Sequence, residues 1–169
     1  MSRYPLLFTF RDVIVGRCFV AGVRAEGRAL TVEQPDGEFW MYGIEPGAIA
    51  GSGDTLLDAH VNFRETHRLA LYDIAHEASD FRAFKAEVEA YYGSTPEATL
   101  KEWEAAVEEV RAGQVKSPGL PKQDASSPRG LTVFMAELAP EANERVLAPA
   151  LESGSNDENQ LALAVGQAA

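Results

Sequence analysis

From Phe39 to Tyr72 the order of local signals leaves room for few folds. Phe39-Trp40-Met41-Tyr42-Gly43-Ile44 is rich in aromatic and branched side chains and reads as a strand. Glu45-Pro46-Gly47 then forms a corner: Pro46 fixes one backbone angle, and Gly47 is the residue expected to take a positive φ. Ile49-Ala50 begins a short return strand, and Gly51-Ser52-Gly53 lets the chain run close to other backbone. Asp54 or Thr55 caps the first free amides of a helix, with Thr55 and Asp58 forming a short capping box. The helical pattern that follows predicts a helix from Leu56 to Ile74.

Upstream, Leu6–Phe10, Val13–Val15 and Cys18–Val23 favour extended backbone, with Arg11-Asp12 and Gly16-Arg17 between them. Glu26-Gly27 is expected to turn, and Ala29–Glu33 alternates as a half-exposed strand. Pro35-Asp36-Gly37 is the strongest hairpin signal in the chain, pairing Leu30–Val32 with Phe39–Ile44. These elements predict an antiparallel meander of three or four strands with a helix packed flat on one face. That helix places Leu56, Ala59, Phe63, Ala70 and Ile74 near one side.

The run Glu45-Pro46-Gly47 followed by Gly53-Asp54-Thr55-Leu56-Leu57-Asp58-Ala59 and a helix resembles the core of HicB-like antitoxin domains. The resemblance covers Phe39 to Ile74 and does not extend beyond Ala78. It implies a truncated ribonuclease-H-like α+β fold that neutralises a small RNA-cleaving toxin by masking its active surface. Typical members add a C-terminal DNA-binding segment. Here residues 130–169 hold five more acids than bases and no recognition helix rich in Arg or Lys, so autorepression is not expected.

Beyond the matched region, Ser79-Asp80 opens a second helix with Phe81, Phe84, Val88 and Tyr91 or Tyr92 at helical spacing, stopped by Gly93. Thr95-Pro96-Glu97-Ala98 starts a third, with Leu100, Trp103, Val107 and Val110 along one stripe. The two are expected to pair as an antiparallel helical hairpin. Residues 114–129 read as an irregular, Pro-containing connection. Gly130–Leu138 reads as a strand returning to the sheet edge, Glu141–Leu151 as a short helix, residues 153–159 as a polar loop, and Gln160–Val165 as a last strand. The expected organisation is thus a HicB-like core over residues 1–78, a hairpin addition over 79–113, the connection 114–129, and C-terminal strands and tail over 130–169.

The single cysteine, Cys18, excludes an internal disulfide and a cysteine-based metal cluster, and its apolar neighbours suggest a core position. His60 and His67 stand seven apart on one helix, a spacing unlike zinc ligation from a helix, and read as solvated or packed side chains. Asp12, Asp36, Asp54, Asp58 and Glu65 are the carboxylates that a ribonuclease-H-like metal site would draw on. Asp36 sits in a turn, Asp54 and Asp58 serve the helix start, and Glu65 lies towards the charged side. No serine stands in a nucleophile elbow, and Gly51-Ser52-Gly53 lacks the Lys of a phosphate loop. No catalytic residue, metal or cofactor is therefore expected, and the chain is read as a non-enzyme.

The formal net charge is −11, from 26 acids against 15 bases. It disfavours direct binding to DNA and suits a small basic protein partner. Trp40 and Tyr42 share one face of their strand, opposite Phe39 and Met41. A sheet bulky on both faces is expected to need cover on the second face from a partner or a second copy, so self-association is anticipated. Trp40, Tyr42, Glu45, Asp58 and Glu65 are the residues expected to contact the partner. The alternative reading is a small-molecule-binding module or enzyme with a pocket between the sheet and the Phe81–Val110 hairpin. No apolar run approaches the roughly 18 residues of a membrane helix, and no leader with a cleavage site is apparent, which gives the expectation of a cytoplasmic protein.

Overall fold

The computed structural model describes residues 2–116, 118–126, 129–136 and 159–165. Over these residues the chain is a mixed α+β protein: one mostly antiparallel sheet of seven strands with three helices. Strands β1 (Arg3–Val15) and β2 (Val20–Glu33) form a long hairpin, closed where the Gly16 N–H donates to the Phe19 carbonyl at 2.9 Å. The meander continues through β3 (Phe39–Glu45) and β4 (Ala50–Gly53), giving the order β4-β3-β2-β1. Helix α1 (Leu56–Glu77) follows, then α2 (Phe81–Gly93) and α3 (Glu97–Arg111). Strand β5 (Lys122–Asp124) runs parallel to β7 (Asn159–Val165), and β7 pairs antiparallel with β1 over Leu6–Phe10. Strand β6 (Leu131–Ala136) pairs with the Val20–Ala25 half of β2, end to end with β3, which takes the Arg28–Glu33 half. Among the described residues no helix is long and apolar enough to cross a membrane.

Two expected interruptions are continuous strand. Arg11-Asp12 lies within β1, paired with Arg24 and Val23. Glu26-Gly27 does not turn; Gly27 stands opposite Phe8, where a Cβ would meet the phenyl ring. A Cβ would also overlap the Glu45 carbonyl oxygen, so the glycine makes room for the end of β3 and an aromatic ring instead of bending the chain. At the corner after β3, the positive φ belongs to Ala48 (59°) and not to Gly47. Gly47 serves close approach instead, since a Cβ there would stand 2.7 Å from Pro96 Cδ and 2.9 Å from the Ser94 carbonyl. The Pro35-Asp36-Gly37 hairpin forms as expected, with Gly37 at φ 92°.

Thr55 is the N-cap of α1: its Oγ1 accepts from Asp58 N at 3.1 Å and donates to Asp58 Oδ2 at 2.6 Å. Such a cap contributes about 1 kcal/mol. The helix runs 22 residues, past the expected end at Ile74. Its buried stripe is Ala59, His60, Phe63, His67, Leu71 and Ala75, whereas Leu56, Ala70 and Ile74 are only half-buried. The apolar pattern misses this stripe because two of its members are histidines. Gly51 and Gly53 bring β4 against the helix backbone beside Phe63, Ala59 and Asp58.

The two later helices do not form a hairpin. Helix α2, capped by Asp80 accepting from Ala83 N at 2.8 Å, buries Phe84 and Val88 with Leu71 and Ala75 of α1 and Ile14, Phe19, Ala21 and Val23 of the β1–β2 hairpin. Helix α3 buries Trp103, Ala106 and Val107 against Leu7, Leu30, Ile44, Ala162 and Ala164 on the other face of the sheet. The second face is thus covered by α3 of the same chain, which corrects the expectation that something else must cover it. Both helices have a better apolar partner in the sheet than in each other, and each takes the face its neighbours leave open.

Cys18 is exposed at the tip of the β1–β2 hairpin, its thiol directed to the Ser79 carbonyl at 3.3 Å, and is not a core residue. The connection after α3 contains the short strand β5 and is not wholly irregular. The expected helix Glu141–Leu151 and residues 153–158 of the expected polar loop 153–159 lie outside the described residues, while Asn159 begins β7.

Candidate functional site

Beneath α1, on the sheet face that carries Leu6, Phe8 and Phe10, a group of polar side chains is packed into apolar surroundings. Phe10 is its centre. The rings of His60 and His67 stand 5.6 Å and 5.3 Å from the Phe10 ring, and the Arg64 guanidinium carbon lies 5.9 Å from it. Two residues along the same strand face, Asp12 pairs with Arg64 at 3.4 Å, its side chain only 7% exposed. His67 is fully buried and hydrogen-bonded through Nε2 to the Tyr92 hydroxyl, which α2 delivers from the side. Helical spacing explains the convergence: positions 60, 64 and 67 point to one side of α1, over alternate residues 10 and 12 of β1.

Burial governs the titration of this group. It raises the pKa of Asp12 above the usual carboxylate value, with Arg64 and then Arg68 opposing the shift. His67 is held down to about 4 by burial and by the charge of Arg64, and His60 is lowered for the same reasons. Tyr91 is pushed up to about 12 by burial, and Tyr92 is also raised, by burial and then by its neighbours Tyr91 and Asp12. Both imidazoles are therefore neutral at pH 7. Fully enclosed, His67 has no contact with a substrate and serves the packing of α1 on α2.

The cluster reaches solvent along one flank of α1. A cavity of about 380 Å³ opens there between the helix and Leu120, lined by Leu57, His60, Val61, Arg64, Glu65 and Arg68. Arg68 is paired with Glu65 at 2.9 Å. On the rim and along the outward side of α1, Leu57, Val61, Leu69 and Tyr72 are 66, 55, 53 and 37% exposed. A second cavity, about 430 Å³, lies on the opposite face of the sheet between Leu30, Val32 and Tyr42 and the start of α3 at Pro96, Thr99 and Glu102.

The five residues anticipated as a contact surface fall into two groups. Trp40 and Tyr42 stack with ring centres 6.0 Å apart on the α3 side, and Trp40 Nε1 donates to Glu38 Oε2 at 2.8 Å. Glu45, at the end of the same strand, pairs with Arg28 at 3.3 Å, whose guanidinium lies 5.1 Å from the Trp103 ring centre. Asp58 and Glu65 project from α1 on the other side of the sheet. The five are thus divided between the two faces of the sheet. The sequence reading missed Asp12, Arg64 and Tyr92 as companions of the two histidines. The available signal was the 60-64-67 spacing of basic side chains on the buried side of an otherwise apolar stripe.

Among the described residues no group of three or more His, Cys, Asp or Glu is placed to hold a metal ion. In comparisons with protein-family models, curated proteins and solved structures, no match to this chain was found.

Proposed function

We propose that this chain is a protein-interaction domain related to HicB-like antitoxins, binding a small basic protein through the outward side of α1. One observation carries the reading. Positions 57, 61, 65, 68, 69 and 72 recur at helical spacing, and four of them are large apolar residues left at least 37% exposed on a helix whose opposite side is fully packed. An amphipathic helix has no packing use for a second apolar stripe, and exposed apolar patches of this kind mark association surfaces. Asp58 and Glu65 lie in the same stripe, and the overall charge of −11 favours and speeds encounter with a cationic partner. The resemblance of Glu45–Ala59 to the antitoxin core, and the order of three strands, corner, return strand and helix, support the truncated ribonuclease-H-like version of the fold. The mechanism is masking, with no bond chemistry by this chain.

The test begins with the adjacent open reading frame: it is expected to encode a short basic protein, and co-expression of the two is scored by rescue of growth and by co-purification of a defined complex. Leu69→Asp is expected to weaken that complex at least tenfold while leaving the fold intact. Neither rescue nor complex with the unaltered chain would remove the reading. Sedimentation of the free protein distinguishes a second copy as the occupant, since a dimer abolished by Leu69→Asp would assign the stripe to self-association. Duplex DNA is expected to bind only non-specifically, at roughly 10⁻⁴ to 10⁻⁶ M or weaker at physiological salt. Sequence-specific retardation of the chain's own upstream region would contradict this.

A further inference from the structure

We infer that the free edge of β6 is an interface between two copies of this chain, joined as an antiparallel extension of the sheet. The strands at the two ends of the sheet are blunted against such pairing. Asn62 of α1 donates to the Ser52 carbonyl of β4 at 2.8 Å, and Gly51 brings β4 against the helix backbone. Strand β5 has three residues, and Lys122 and Asp124 give it a charge at each end. Strand β6 has neither defence. Its six residues, Leu131-Thr132-Val133-Phe134-Met135-Ala136, include no charge, proline or glycine, and among the described residues only β2 pairs with it. A free edge of this composition is a template for another strand.

The ladder with β2 determines which groups are free. In an antiparallel pair, facing residues alternate between exchanging hydrogen bonds and turning them outward. Glu26 N donates to the Gly130 carbonyl at 2.9 Å, so the bonded positions are Gly130, Thr132, Phe134 and Ala136, against Glu26, Arg24, Gly22 and Val20. The N–H and C=O groups of Leu131, Val133 and Met135 therefore point away from β2. These three positions are evenly spaced about Val133, so the edge is complementary to itself. A two-fold axis beside Val133 pairs that residue with its own counterpart and Leu131 with Met135 of the other copy, making about six hydrogen bonds. Charge selects the occupant. Two copies at −11 repel over most of their surface, whereas this strand carries no carboxylate to oppose its counterpart and none to attract a basic protein. Leu131 and Val133 pack against the cluster of Ile14, Ala21, Val23 and Phe84, which holds the strand in shape before it pairs. The inference concerns a different element from α1 and does not rest on the reading given to the outward side of that helix.

Sedimentation of the unaltered full chain tests it, together with amide hydrogen exchange read residue by residue by NMR. A six-residue strand buries less area than a standard interface, so the expected result is a reversible dimer with Kd on the order of 100 µM. The amides of Thr132 and Phe134, bonded to β2, are expected to be protected at every concentration. Those of Leu131, Val133 and Met135 are expected to exchange about threefold more slowly at about 600 µM than at about 20 µM, as the dimer fills. Thr132 is exposed, and Thr132→Lys sets like charges on diagonal neighbours across the two-fold axis. It is expected to weaken the dimer at least tenfold while leaving the melting temperature in dilute solution unchanged. A chain that is only monomer at about 600 µM overturns the inference. So does exchange at Leu131, Val133 and Met135 that ignores concentration, or a Thr132→Lys dimer as tight as that of the unaltered chain. Leu69→Asp is expected to leave this dimer intact, so loss of the α1 contact and loss of the β6 contact are read separately.

Discussion

Replacing Gly51 with alanine puts a methyl group where the backbone of α1 already stands. A Cβ on Gly51 would overlap Phe63 N and lie 2.6 Å from Phe63 Cα and 2.8 Å from the Ala59 carbonyl. Ordinary carbon contacts begin near 3.5 Å, so helix or strand must retreat by about 1 Å. No rotamer change relieves the overlap, because all three atoms belong to the main chain. The retreat loosens Phe63 from Phe8 and Phe10, whose ring centres lie 5.4 Å and 6.2 Å from its own, and all three rings are buried. Overpacking of this kind costs about 1–3 kcal/mol, and a backbone overlap places Gly51→Ala at the upper end. For a chain of this length, about 3 kcal/mol corresponds to a fall in melting temperature of roughly 6–12 °C. Urea and thermal unfolding followed by far-ultraviolet circular dichroism measure it, with the urea dependence unchanged if only stability is altered. Gly93 is the control: a Cβ there meets nothing within 4 Å, so Gly93→Ala at the end of α2 is expected to be neutral or mildly stabilising. A Gly51→Ala variant within about 0.5 kcal/mol of the unaltered chain would refute the close seating of α1 on β4.

Acid sensitivity follows from His67. Its folded pKa, about 4, lies below the free value of 6.5, so the stabilising contribution is complete above pH 6.5 and is lost as pH falls towards 4. The slope is about 1.4 kcal/mol per pH unit, on the order of 3 kcal/mol in all. The double variant His67→Phe, Tyr92→Phe removes both members of the hydrogen bond and should flatten that part of the profile. Asp12 acts in the opposite sense, its raised pKa favouring the folded state at low pH, and it is present in both proteins. Equal pH slopes for the two would show that His67 is not held neutral. Cys18 should be alkylated by iodoacetamide in the native protein, since its thiol lies exposed at the hairpin tip. A thiol that reacts only after unfolding, as read by mass spectrometry, would return it to the core.

The local devices of this chain were legible from its residues alone. The Pro35-Asp36-Gly37 hairpin, the Thr55–Asp58 cap, the Asp80 cap and the close glycines before α1 all act within a few positions of themselves. Each is set by a steric or hydrogen-bonding rule that needs no distant partner. The α+β class and the antiparallel start of the sheet follow from those rules. Whether Gly27 bends the chain or makes room for Phe8 was settled only by the strand paired opposite it. The same is true of α2 and α3, whose spacing suits a hairpin equally well. They part because the sheet has two apolar faces, and α1 with its neighbours fills only one of them. Asp12 and Arg64 lie 52 positions apart, and Leu6 meets Leu163 across nearly the whole chain. Contacts of that range are fixed by how the faces are shared among all elements at once, because burial is non-directional and any apolar face accepts any apolar partner.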